Sequence, residues 1–158
     1  MTDSTMAAIA EAMSLGAQGD PAGARERMTA LWRTVGAAGD PLHRCTIAHY
    51  LADLFDDPAE ALTWDVRALD AAEALTDERV RAHHEGLSVA GFYPSLHLNL
   101  ADNFRRLGSF DAAHRHLDQA RAGTHALADD GYGSVVRAGI ANVEAALADR
   151  STDRLPSH

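Results

Sequence analysis

LHLNLADNFRRLGSFDAAHRHLDQAR, residues 96–121, decides the fold. Its residues Leu96, Leu100, Phe104 and Leu107 recur every three or four positions, the period of a helix with one buried face. Gly108 ends that helix, because glycine enters the left-handed conformation without a Cβ clash. Ser109 stands where a hydroxyl caps the next helix, and Asp111 suits its positive first turn. Phe110, Ala113, Leu117 and Ala120 then line the buried face of a second helix, whose small alanines let the two axes approach. The spacing predicts a helix pair joined by a sharp turn.

Leu100, Ala101, Phe104, Gly108, Phe110, Ala113, Leu117 and Ala120 fill the places where a tetratricopeptide repeat carries its signature. The stretch resembles that family and departs from it only at Ala101, where glycine is commonest. The resemblance implies an all-α, right-handed solenoid of antiparallel helix pairs (TPR-like) with a C-terminal capping helix. Such a signature identifies a fold rather than a function.

Two weaker copies precede this one. Ser4 caps a helix to about Leu15, with Met6, Ile9, Ala10 and Met13 on one face, and Met1 to Asp3 reads as frayed. Gly19, Asp20 and Pro21 then supply a stop, a cap and a first-turn proline. Ala24, Met28 and Leu31 continue the pattern, with Trp32 one turn after Met28. After the break GAAGDP, Gly36 to Pro41, come Ile47, Leu51 and Leu54. Asp56 holds the glycine place, Asp57 caps and Pro58 starts the partner helix, which buries Ala61, Trp64, Ala68 and Leu69. The step from Gly19 to Asp56 is close to the family period of about 34 residues. The step from Asp56 to Gly108 is roughly half a repeat longer.

The excess falls in Thr76 to Tyr93, with a short helix expected to about Glu85, a break at Gly86 and irregular chain through Gly91. A long connection in a compact array carries function or lengthens the preceding helix, and both readings stand. A last helix follows the loop ADDGYGS, with Tyr132, Val136, Ile140, Val143 and Leu147 on the face that closes the array. The chain therefore reads as one domain, 1–150. It has pairs at about 4–37, 41–75 and 94–127, an insert at 76–93 and a cap helix at 131–150. Residues 151–158 read as a polar, disordered tail.

The 158 residues carry a formal net charge of −9, and the basic side chains are all arginine. No basic footprint for nucleic acid is visible. Lysine chemistry, whether Schiff base or phosphate loop, is excluded. Arginine without lysine also matches the coding bias of a GC-rich bacterial genome. The single cysteine, Cys45, excludes an internal disulfide and a four-cysteine zinc site. No signal peptide or membrane-length apolar run is readable, so the expectation is a cytoplasmic protein without membrane contact.

By the resemblance, first helices line a concave inner surface. That surface would include His43, Thr46, Tyr50 and Asp53 from the middle pair, and Ser95, Leu98, Asp102, Arg105 and Arg106 from the last. The expected partner is a protein or peptide, and the expected function is non-enzymatic capture in that groove. His83 and His84 are the insert's candidate contacts. A carboxylate clamp of the family's lysine-containing type is not expected, since there is no lysine and Tyr50 and Asp102 hold its places.

Two alternatives remain. One is a metal or small-molecule site built on Cys45 and His49, completed by His97 or His84, against which a small core cysteine and a satisfied core histidine explain the same residues. No cofactor is expected. The other is a homodimer joined through Trp32, Trp64 and Phe92. His49 or His84 with Asp53 could form an acid–base pair, but no nucleophile elbow or phosphate loop accompanies it. GYGSVV at Gly131 is half a dinucleotide fingerprint in the wrong context, after a helix and loop rather than a strand. His114 and His116 read as surface residues.

Overall fold

A computed structural model describes residues 3–156. Expectations for Met1, Thr2, Ser157 and His158 lie outside the described residues. Among the described residues there are eight α-helices, packed in adjacent pairs, and no strand. The chain divides into two compact units, Met1–Leu87 and Ser88–His158, each with its own core. Their boundary falls inside the long connection.

The first unit contains α1 (Ser4–Ala17), α2 (Pro21–Val35), α3 (Pro41–Asp53), α4 (Pro58–Glu73) and the short α5 (Asp77–His83). One device starts three of these helices. Asp20, Asp40 and Asp57 each precede a proline, and each carboxylate accepts backbone N–H groups of the first turn. Proline presets the helical φ, and the aspartate satisfies donors the helix leaves open. Asp3 caps α1 in the same way, accepting from the Met6 N–H at 3.0 Å. The cap is therefore Asp3 and not Ser4, and Asp3 is anchored rather than frayed.

Helix α3 is the centre of this unit. It packs on α4 and also on α1 and α2. Leu42, Cys45, Ile47, Ala48, Leu51 and Ala52 are accordingly buried around most of its circumference. Ile9, Ala12 and Met28 complete the core, with Trp32, Phe55 and Trp64 packed at its margin.

The second unit opens with a 3₁₀ turn (Val89–Gly91). It continues with α6 (Tyr93–Arg106), α7 (Phe110–Ala122), a second 3₁₀ turn (Thr124–Ala126) and α8 (Gly131–Ala148). Gly108, at φ 78°, joins α6 to α7. Its N–H donates to the Arg105 carbonyl, and the Ser109 N–H donates to that of Phe104, which is a Schellman closure. The Ser109 hydroxyl makes no capping bond, contrary to the sequence expectation. The backbone closure already holds the turn.

Helix α6 packs on both α7 and α8, so two of its faces are covered. Leu96, Leu98 and Leu100 are all buried. Leu107 is 42% exposed, because it is the residue that follows the last turn of α6 and not a core position. On α8, Val136, Ile140, Val143 and Leu147 are buried as expected, but Tyr132 is 52% exposed. Gly133 takes the inward place beside it, where an added Cβ would run into the Ala128 carbonyl.

The segment after α8 departs from the disordered tail expected of it. Arg150 adopts φ 50°, and the Ser151 N–H donates back to the Ala146 carbonyl at 2.9 Å. This turns the chain so that Leu155 packs against the core of the second unit.

Candidate binding surface

Four of the expected groove residues belong to the first unit and five to the second. In the first, the His43 imidazole lies 2.8 and 3.0 Å from the two Asp3 oxygens. The Thr46 hydroxyl donates to the Leu42 carbonyl at 2.7 Å. Tyr50 packs at the margin of the core, and Asp53 is exposed at the end of α3. In the second unit three assignments are corrected. Ser95 and Leu98 are buried, Leu98 within the core cluster, and the Arg105 side chain is fully buried. Covering α6 on two faces turns these positions inward. Asp102 and Arg106 remain partly exposed.

Arg105 is committed inside its unit. It donates to Asp102 at 2.8 and 3.0 Å and to the Ser151 carbonyl at 2.7 Å. His83 and His84 are exposed. Only His83 lies on α5, while His84 follows it and accepts the Gly86 N–H at 3.1 Å.

The titratable residues gather in three places. Asp3, Asp40, His43 and Arg79 form a network joining the starts of α1, α3 and α5. Partial burial opposes the charge of Asp3. Hydrogen bonds from His43, the Met6 N–H and Arg79 outweigh that effect and bring its pKa down to about 2.

Between α3 and α4, His49 Nδ1 lies 3.6 Å from the buried Asp65 carboxylate. Burial works against the imidazolium, but the Asp65 carboxylate beside it holds the His49 pKa above its ordinary value. The Cys45 thiol is pushed up to about 12, by burial first and then by the charge of Asp65. It is a neutral thiol near pH 7 and a poor ligand or nucleophile. Asp65 is the stronger partner of His49, with a smaller effect from the charge of Asp53, and the sequence expectation included only Asp53.

In the second unit, His97 Nδ1 and His116 Nδ1 stand 3.0 Å apart. Tyr93 flanks His97, and Phe104 lies nearly parallel to His116. His116 is therefore part of an aromatic row and not a bare surface residue. Among the described residues, no three His, Cys, Asp or Glu side chains gather as a metal-holding group.

A cluster of aromatic rings and arginines lies elsewhere in the first unit. The rings of Trp32 and Trp64 meet edge to face at 5.2 Å, and Phe55 lies 6.4 Å from Trp64. Arg67 sits 4.4 Å over Trp64, and Arg25 sits 5.2 Å over Phe55. Beside them is an open concavity of about 450 Å³ lined by Ala22, Arg25, Glu26, Thr29, Arg33 and Phe55. In the homodimer alternative Trp32 and Trp64 would contribute to a contact between copies. Here they meet each other within one chain.

Comparison with protein-family models, with curated proteins and with solved structures finds no match for this chain. Among the described residues, no helix is long and apolar enough to cross a membrane.

Proposed function

We propose that the chain is a non-enzymatic interaction module, built on tetratricopeptide-like helix pairs, that binds a protein or peptide. The observation that carries this reading is the arginine-covered aromatic face of Trp32, Phe55 and Trp64. Tryptophan and arginine are the residues that most often dominate binding energy at protein interfaces. A guanidinium lying on a ring also presents its N–H edge outward at little entropic expense. The capping network and the cysteine fit the same reading. The Asp3–Asp40–His43–Arg79 network caps helices, and Cys45 is a buried neutral thiol.

The test is affinity capture from the source cell, comparing the unaltered protein with Arg67→Glu. Arg67 is exposed, so the reversal leaves the core intact, which circular dichroism verifies. The expected result is a partner retained by the unaltered protein and lost by the variant, with slowed hydrogen exchange on α2 and α4 in the complex. An identical set of captured proteins with Arg67→Glu, or protection confined to the second unit, overturns this face as the binding surface.

A further inference from the structure

The concavity beside the aromatic face has a charge opposite to that of the chain around it. Arg25, Thr29 and Arg33 follow one another at four-residue steps and so share one side of α2. The chain holds 23 acidic residues against 14 arginines. Even so, among the described residues neither Arg25 nor Arg33 has a carboxylate within ion-pair distance. Arg25 is held instead by the Phe55 ring. Glu26 adds one carboxylate to the lining. The Thr29 hydroxyl already donates to the Arg25 carbonyl at 2.7 Å, so the strong donors left to a ligand are the guanidinia. Guanidinium N–H pairs match the two oxygens of a carboxylate, and the Phe55 ring beside them favours an apolar neighbour.

We infer that this concavity seats an acidic peptide segment, with a carboxylate side chain against Arg25 and Arg33 and an adjoining apolar side chain against Phe55. The inference rests on the interaction-module reading and names the chemistry of the partner. The overall charge separates this occupant from a polyanion. Around physiological salt, charges more than about 8 Å apart are largely screened. A short acidic segment therefore responds chiefly to the two arginines. A nucleic acid, longer than the concavity, would also lie against the acidic surface of a chain whose net charge is −9.

The test uses the full chain and three labelled probes, followed by fluorescence anisotropy at two salt concentrations. The probes are a terminally blocked hexapeptide of alternating glutamate and phenylalanine, its glutamine counterpart, and a single-stranded hexanucleotide. The glutamate peptide should bind at least tenfold more tightly than the glutamine peptide. Arg25→Gln/Arg33→Gln should weaken it tenfold or more, and Arg27→Gln, exposed on the same helix but outside the lining, less than twofold. Equal binding of the two peptides, no binding of either, equal loss with Arg27→Gln, or tighter binding of the hexanucleotide each overturn the inference. If the glutamate peptide fails while Arg67→Glu still abolishes partner capture, this inference falls and the interaction module stands. If the peptide binds as expected while Arg67→Glu leaves capture unchanged, the aromatic face is lost as the interface and the acidic-segment site is retained.

Discussion

Arg79 Nε donates to Asp40 Oδ2 at 2.7 Å, and this ion pair fastens the seven-residue α5 to the start of α3. The same guanidinium reaches Asp3 at 3.1 Å, at the start of α1. Both carboxylates are also helix caps, so each serves its own helix and a distant one. A helix of two turns is not stable alone. Arg79 and the buried Val80 are what hold it.

Arg79→Gln should lower the stability of the first unit by about 1–2 kcal/mol, since hydrogen bonds to charged groups are worth about 1.5–3 kcal/mol and these are partly exposed. Urea unfolding at neutral pH measures the loss. The acid limb follows from the carboxylates. The Asp3 pKa falls from 3.8 to about 2 on folding, and that of Asp40 is also lowered. Their contribution is present above pH 3.8 and is lost as pH falls toward 2. Arg79→Gln should flatten that limb, and an unchanged acid profile would show that the network contributes no linkage.

The two units should respond to mild pH changes with opposite signs. His97 and His116 meet at their Nδ1 atoms, with ring centroids 5.3 Å apart, and only one proton fits between the two nitrogens. Burial lowers both pKa values, helped by the charge of His116 for the first and of Arg115 for the second. A histidine favoured neutral in the fold contributes stability above pH 6.5, which is lost as pH falls through its lowered pKa. His49 is the reverse, because Asp65 raises its pKa. Its contribution is complete below pH 6.5 and is lost as pH rises through the raised value. Hydrogen exchange corrected for intrinsic rates should show the second unit loosening at pH 5.5, with that loss reduced in His116→Gln and the remainder due to the buried His97. Equal responses in both units would contradict the assignment.

Arg105→Ala should be among the most damaging substitutions in the second unit. The side chain is fully buried, and its removal strands the Ser151 carbonyl and leaves a cavity. Breaking a buried charged contact by removing one partner costs about 3–5 kcal/mol. Deleting residues from Ser151 onward removes the opposite partner and uncovers the same guanidinium. The two changes share one interaction, so together they should destabilise by less than the sum of their separate effects. Simple additivity would mean that the tail and Arg105 act independently.

Helix positions were legible because their signals are local. The Asp–Pro starts at 20–21 and 57–58 and the glycine stops at 19 and 108 all act within one turn, whereas Asp40–Pro41, which starts α3 in the same way, reads in the sequence only as the end of a break. The faces of central helices were less legible. The resemblance assigns Leu98 and Arg105 to a concave inner surface, whereas α6 has neighbours on two sides and buries both. Long-range pairs left no sequence signal at all. Arg79 finds Asp3 across 76 positions, and His116 finds His97 across 19. The aromatic face was half legible, since Trp32 and Trp64 stood out but the arginines over them did not.

Arg150 offers a test of strain against contact at one residue. Its φ of 50° lies in the left-handed region, where a non-glycine residue is disfavoured by roughly 1–2 kcal/mol. Its guanidinium lies 4.4 Å over the Phe110 ring, a contact worth about 0.5–1 kcal/mol at an exposed site. Arg150→Gly removes both and should leave stability nearly unchanged. Arg150→Ala keeps the strain and loses the contact, so it should destabilise by about 0.5–1 kcal/mol. Arg150→Val should be worst, by about 1–2 kcal/mol, because a β-branched side chain is least tolerant of positive φ. Urea midpoints in the order glycine, alanine, valine would place the closing turn of α8 under backbone control. A glycine variant weaker than the alanine variant would mean that the two backbone bonds to Ala146 and Leu147 hold residue 150 at positive φ without a strain that glycine relieves.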